Sequence, residues 1–95
     1  MPEMHFTVRW PDGSTQRCYS PSLVIKDYFE PGRDYPLGEF VRLSAEALDI
    51  ASERVRLKYG MGCGHAIAQK AAIETRAAQL AHLSDAPVHV VAFEE

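Results

Sequence analysis

The chain has 95 residues, 46% hydrophobic and 24% charged, with a formal net charge of −3, which fits one globular domain over residues 1–95 and excludes both a disordered chain and two separate cores. The acidic balance argues against a phosphate-binding surface, and hence against a nucleic-acid partner. No apolar run reaches the ~18 residues of a membrane span and Met1-Pro2-Glu3-Met4 does not read as a signal peptide, so the expectation is a cytoplasmic protein with no membrane partner.

Met4, Phe6, Val8 and Trp10 alternate with His5, Thr7 and Arg9, the period-two pattern of a strand with one buried face. This predicts a first strand over about residues 3 to 10. Pro11-Asp12-Gly13 follows. Proline suits the second position of a type I turn, and glycine the left-handed conformation that comes after it. A three-residue loop then pairs Trp10 with Ser14 and Phe6 with Cys18, which puts Cys18 in the core. A two-residue Asp12-Gly13 loop would instead pair Phe6 with Tyr19 and turn Cys18 outward, because one residue of slip inverts every side chain. The Pro-Asp-Gly chemistry favours the first register.

Ser20-Pro21-Ser22 ends the second strand, since proline cannot donate to a ladder. Leu23 to Phe29 reads either as a helical turn capped by Ser22 or as an extended edge segment, with one turn near Ile25 to Phe29 preferred. Glu30-Pro31-Gly32 marks a turn, and the stretch to Tyr35 reads as loop.

Pro36 to about Tyr59 carries the strongest helix signal, with proline at the first helical position and Gly60 at the C-terminal cap. Phe40, Ser44, Ala47, Ala51 and Val55 lie on one line. Leu43, Ile50 and Leu57 flank it on one side and Val41 and Leu48 on the other. So wide an arc predicts contact with both a sheet and a second helix.

That second helix is predicted over about Gly64 to Leu83, with Ala66, Ile73, Ala77 and Leu80 as its apolar line. The short Gly60-Met61-Gly62 connection requires an antiparallel helical hairpin. Ser84-Asp85-Ala86-Pro87 breaks the pattern, and Val88 to Phe93 reads as a last strand, apolar on both faces, placed beside the first strand or at an interface. The fold class is therefore α+β: a two- or three-stranded sheet covered on one face by a helical hairpin.

Chemistry concentrates at Met61-Gly62-Cys63-Gly64-His65. A cysteine at the start of a helix meets free amide donors and the positive end of the dipole, which stabilise a thiolate. Cys63 is thus the candidate catalytic residue, and Gly62, Cys63, Gly64 and His65 the candidate ligand-binding set, for an anionic or carbonyl group. The alternative is that Gly60 and Gly62 simply shape the turn and Cys63 is a small apolar residue. An ion pair between Cys63 and His65 requires Cys63 to lie outside the regular helix. Cys-x-His supplies only two donors, so neither a metal nor a cofactor is expected. With no C-x-x-C spacing, Cys18 and Cys63 should be free thiols.

Elsewhere the signals are weaker. His5 and His89 are candidate cross-strand neighbours, and His82 lies near a helix C-terminus. Arg54, Arg56 and Lys58 read as a solvated helix face, and Asp49 and Glu53 as a pair on an exposed face. Lys70 and Glu74 have the spacing of a salt bridge, on a face that is either partly exposed or borders a pocket or partner. No nucleophile elbow, P-loop or dinucleotide fingerprint is present.

Taken together, Met1-Pro2-Glu3-Met4, Arg9-Trp10-Pro11-Asp12-Gly13, Cys18-Tyr19-Ser20-Pro21-Ser22, Ala51-Ser52-Glu53-Arg54-Val55-Arg56 and Tyr59-Gly60 with Cys63 following resemble a family of small bacterial nitrogen-starvation-response proteins. That family is known from mycobacteria and encoded in a cluster with a nitrilase. Gly62, Gly64 and His65 lie outside the shared set. The resemblance implies a non-enzymatic accessory or regulatory protein acting with nitrilase-cluster proteins under nitrogen limitation. The two-faced apolar last strand adds the expectation of a partner surface or a homodimer. The alternative is a small enzyme or ligand carrier using Cys63 on a nitrogenous metabolite.

Overall fold

The computed structural model describes residues 3–83 and 85–95; Met1, Pro2 and the break-point Ser84 lie outside them. Strands β1 (Met4–Arg9) and β2 (Thr15–Ser20) form the hairpin. The three-residue loop is the one adopted. Trp10 N–H donates to Ser14 O at 2.8 Å, Gly13 N–H to Trp10 O at 2.9 Å, and Gly13 takes a left-handed φ of 89°. Phe6 pairs with Cys18, as that register requires, and both are fully buried. Ser22 Oγ accepts the Val24 N–H, and the single helical turn α1 (Ile25–Tyr28) follows.

The sheet has four strands, not two or three, in the antiparallel order β2-β1-β4-β3. The additional strand, β3 (Asp34–Pro36), falls where the sequence reads as loop, and it pairs with β4 (Pro87–Glu94). Three residues are too few to display an alternation. Proline is tolerated in β3 because the strand forms an edge of the sheet. His89 Nδ1 lies 2.6 Å from Asp34 Oδ1 across this edge, so His89 partners Asp34 and not His5; in the β1–β4 ladder His89 faces Arg9.

The last strand does lie beside β1, but it does not bury two faces. Its register against β1 shifts between Thr7 and Val8, so that Val8 faces Val90 while Thr7 faces Ala92, leaving Val91 as the extra residue of a bulge. The bulge resets the alternation. Val90 and Phe93, three residues apart, both turn to the core side, where they face Val8 and Phe6. Val91 and Ala92 are exposed.

Pro36 ends β3 and caps α2 (Leu37–Tyr59), so the helix begins one position after the predicted start. Gly60 stops the helix in the left-handed conformation, its N–H donating to Arg56 O at 2.8 Å. Phe40, Ser44, Ala47, Leu48 and Ala51 are buried, whereas Leu57, expected in the buried arc, is 72% exposed because α2 outruns the sheet by this point. Helix α3 (Gly64–Gln79) ends four residues early, passing through Leu80 into a 3-10 turn at Ala81–Leu83. All four residues of its predicted apolar line are buried. Lys70 reaches across the helical hairpin to Asp49 at 3.0 Å, in place of the expected partner Glu74.

Together α2 and α3 cover one side of the sheet. In the aromatic core Phe40 stands edge-on to Trp10 (centroids 5.5 Å apart) and tilted against Phe29 (5.2 Å), which also meets Phe6 and Tyr35.

Candidate functional site

Cys63 occupies the N-cap position of α3, with φ −88° and ψ 111°, so it does lie outside the regular helix. The turn that holds it is tight. Cys63 N–H donates to Ser52 Oγ at 3.3 Å, and a Cβ on Gly62 would stand 2.9 Å from that same oxygen, so the close approach of the turn to α2 favours glycine there. No side chain caps the first turn of α3, and the Gly64 and His65 side of the turn is exposed.

The Cys63 thiol, half-buried, lies beside the Tyr19 hydroxyl. The His65 ring sits edge-on to Tyr19 with centroids 5.9 Å apart, and His5 approaches Tyr19 from β1 at 5.6 Å. Tyr19 donates its hydroxyl to Glu3 at 3.0 Å. Burial, then the Glu3 hydrogen bond and charge, then Cys63 push its phenol up to about 12. The structure thus brings Cys63 and His65 together around Tyr19.

Tyr19, Glu3 and Gln69 are absent from the set read off the sequence. The hairpin register already places Tyr19 opposite His5 on the solvent side, and that signal could have found it. Nothing local marks Gln69. Its carboxamide oxygen accepts the Tyr19 peptide N–H at 3.0 Å. In the ladder set by the Trp10–Ser14 bond, that N–H points to the open edge of β2. Gln69 therefore caps a sheet edge, and its orientation is fixed, since a flipped amide would oppose two donors. Its Nε2 is buried without a hydrogen-bond partner.

At the other end of α3, Arg76 donates to Asp12 at 2.7 Å and to Ser14 Oγ at 2.9 Å. The Ser14 hydroxyl and peptide bonds, ahead of the Arg76 charge, lower the Asp12 pKa. Ala68 and Ala72 of this helix line an open groove of about 570 Å³ against β2. Among the described residues no group of three His, Cys, Asp or Glu side chains is arranged to hold a metal ion. Cys18 is a different thiol altogether: burial alone pushes it up to about 12, leaving it protonated in the core.

Among the described residues no helix is long and apolar enough to cross a membrane. Comparison with curated proteins and with solved structures gives no match to this chain. A family model does match, over residues 5–93, nearly the whole chain. The chain belongs to the family described as nitrogen starvation-induced protein NitG, which ties it to the nitrogen-starvation response.

Proposed function

We propose that the protein is a non-enzymatic accessory component of the nitrogen-starvation response that docks, through the tip of its helical hairpin, onto a protein encoded in a nitrilase-containing gene cluster. The observation that carries this reading is the tip itself. Leu57, Tyr59, Met61 and Ile67 are 61–72% exposed within an eleven-residue stretch around the α2–α3 turn. Scattered apolar residues on a surface need no explanation, but a cluster of large ones marks an interaction site.

Charge selects the kind of partner. Residues 54–73 hold four cations (Arg54, Arg56, Lys58 and Lys70) and no carboxylate; Arg56 and Lys70 are paired with Glu53 and Asp49 of α2, so the surplus positive charge at the tip is that of Arg54 and Lys58, on a chain of net charge −3. A symmetric dimer through this tip would set one basic run against its copy. A partner with an apolar patch and an acidic rim fits better than a second copy.

The test is co-elution of the purified protein with each purified cluster protein, the nitrilase first. The expected result is a complex that weakens with salt and is lost in the double variant Leu57→Asp/Ile67→Asp. Failure of every cluster protein to bind, or head-to-tail self-assembly of the basic tip onto the acidic body, would refute it.

A second reading, a ligand carrier or small enzyme using Cys63, draws support from the groove beside the thiol. A Cys63 pKa at or above the ordinary ~8.5 would discard its nucleophilic version.

A further inference from the structure

The apolar tip carries one group whose chemistry its neighbours lack. Leu57 and Ile67 are hydrocarbon side chains and Tyr59 is a phenol, all inert to peroxide at neutral pH, whereas Met61 is a thioether and is 72% exposed. Hydrogen peroxide oxidises a thioether by two electrons. A sulfur lone pair takes one peroxide oxygen, the S–O bond forms as the O–O bond breaks, and the hydroxyl proton passes to the departing hydroxide, which leaves as water. The methionine sulfoxide that results is polar where the thioether was apolar.

Among the described residues the other sulfur atoms are less accessible. Met4 is 1% exposed, and Cys18 is fully buried with its thiol kept protonated by that burial. Cys63 is half-buried at the N-cap of α3. The turn that presents Met61 is held from both sides. Gly60 N–H donates to Arg56 O at 2.8 Å, Cys63 N–H donates to Ser52 Oγ at 3.3 Å, and a Cβ on Gly62 would stand 2.9 Å from that oxygen. These ties belong to the residues flanking Met61, whose own side chain is no part of the core. An oxygen added to its sulfur therefore changes the surface and leaves the fold in place.

We infer that Met61 is a redox control on docking: peroxide oxidation sets a sulfoxide dipole in the apolar tip and releases the partner. A thiol-dependent sulfoxide reductase reverses the step, two thiols becoming a disulfide while the oxygen leaves as water. The inference rests on the docking reading, which supplies the interface that the sulfoxide disrupts.

The test treats the chain with hydrogen peroxide, maps the oxidised positions by peptide mass, and measures affinity for the purified nitrilase of the cluster, then for the other cluster proteins. Met61 should gain one oxygen before Met4 does, with the melting temperature unchanged. Binding should weaken about tenfold or more, the effect of burying a polar group without a partner, and should return after treatment with sulfoxide reductase. Met61→Leu, apolar and of similar volume, should bind like the reduced wild type and keep its affinity after peroxide. Complex formed before the peroxide is added should protect Met61. An oxidised chain that binds as tightly as the reduced one overturns the inference and leaves docking standing. So does an equal loss in peroxide-treated Met61→Leu, which would place the effect on another residue. A reduced wild type that binds no cluster protein refutes the docking reading, and this inference with it.

Discussion

Ser44 sits in the middle of α2 with 1% of its surface exposed, and its hydroxyl has no hydrogen-bond partner. Replacing it with alanine should therefore stabilise the protein, against the usual direction of a core substitution. Burying a hydroxyl without a partner costs about 1–3 kcal/mol in mutational data. Alanine also exceeds serine in helix preference by about 0.5 kcal/mol. On the other side, the change removes one heavy atom, whose contacts contribute about 0.1–0.2 kcal/mol each. The balance is a gain of about 1–2 kcal/mol. In urea, where small domains have m-values of about 1 kcal/mol per molar, the midpoint should rise by roughly 1–2 M with m unchanged. The melting temperature should rise by about 4–8 °C for each kcal/mol. A midpoint that stays or falls would refute the reasoning, since it would mean that the hydroxyl finds a partner in solution.

Three further outcomes follow from the same structure. Gly60→Ala should destabilise by about 1–2 kcal/mol, because φ at Gly60 is 87° and the space around it is open, so the loss is purely conformational; urea unfolding reads it directly. Ellman's reagent should label one thiol quickly in the native protein, Cys63, and Cys18 only as the protein unfolds; rapid labelling of both would contradict the buried register of Cys18. Tyr19 keeps its proton in the folded state up to about pH 12, whereas the unfolded chain releases it near 10.0. The unfolded state then binds fewer protons across that window, so stability should fall as pH rises through it, and Tyr19→Phe should remove that part of the loss in a denaturation series. Tyr28, also raised by burial and by Glu46, and Cys18, pushed up to about 12 by burial, contribute to the same slope and remain in the variant.

Much of the fold was legible because local signals and global packing agree. Pro11-Asp12-Gly13 specified a loop length, the loop length specified a register, and the register put Cys18 against Phe6. Gly60 marked the end of α2, and the line Ala66, Ile73, Ala77 and Leu80 marked the buried side of α3. The misses have physical causes. Strand β3 is three residues long and owes its existence to β4, so no period could reveal it. The apolar run in β4 looked two-faced because a bulge at Val91 is invisible to an alternation rule. Leu57 has helical spacing suited to burial, but spacing does not say where the sheet beneath the helix ends.

The candidate site divides in the same way. Cys63 could be placed at a helix start from Gly60, Gly62 and Gly64 alone. The groove beside it depends on Gln69 meeting Tyr19 across 50 residues of sequence, and on Arg76 tying the far end of α3 to the hairpin turn. Such contacts are set by the packing of α3 along the edge of β2, which no window of sequence contains.

Docking of the exposed hairpin tip onto a nitrilase-cluster protein is the role proposed for this chain. The dissociation constant for that protein, measured by calorimetry on the wild type, on Leu57→Asp/Ile67→Asp and on Thr7→Asp from the opposite side of the sheet, tests it most directly. Binding by the wild type and by Thr7→Asp, with at least tenfold loss in the tip variant, is the predicted result. Equal affinity for all three, or loss only in Thr7→Asp, would contradict it.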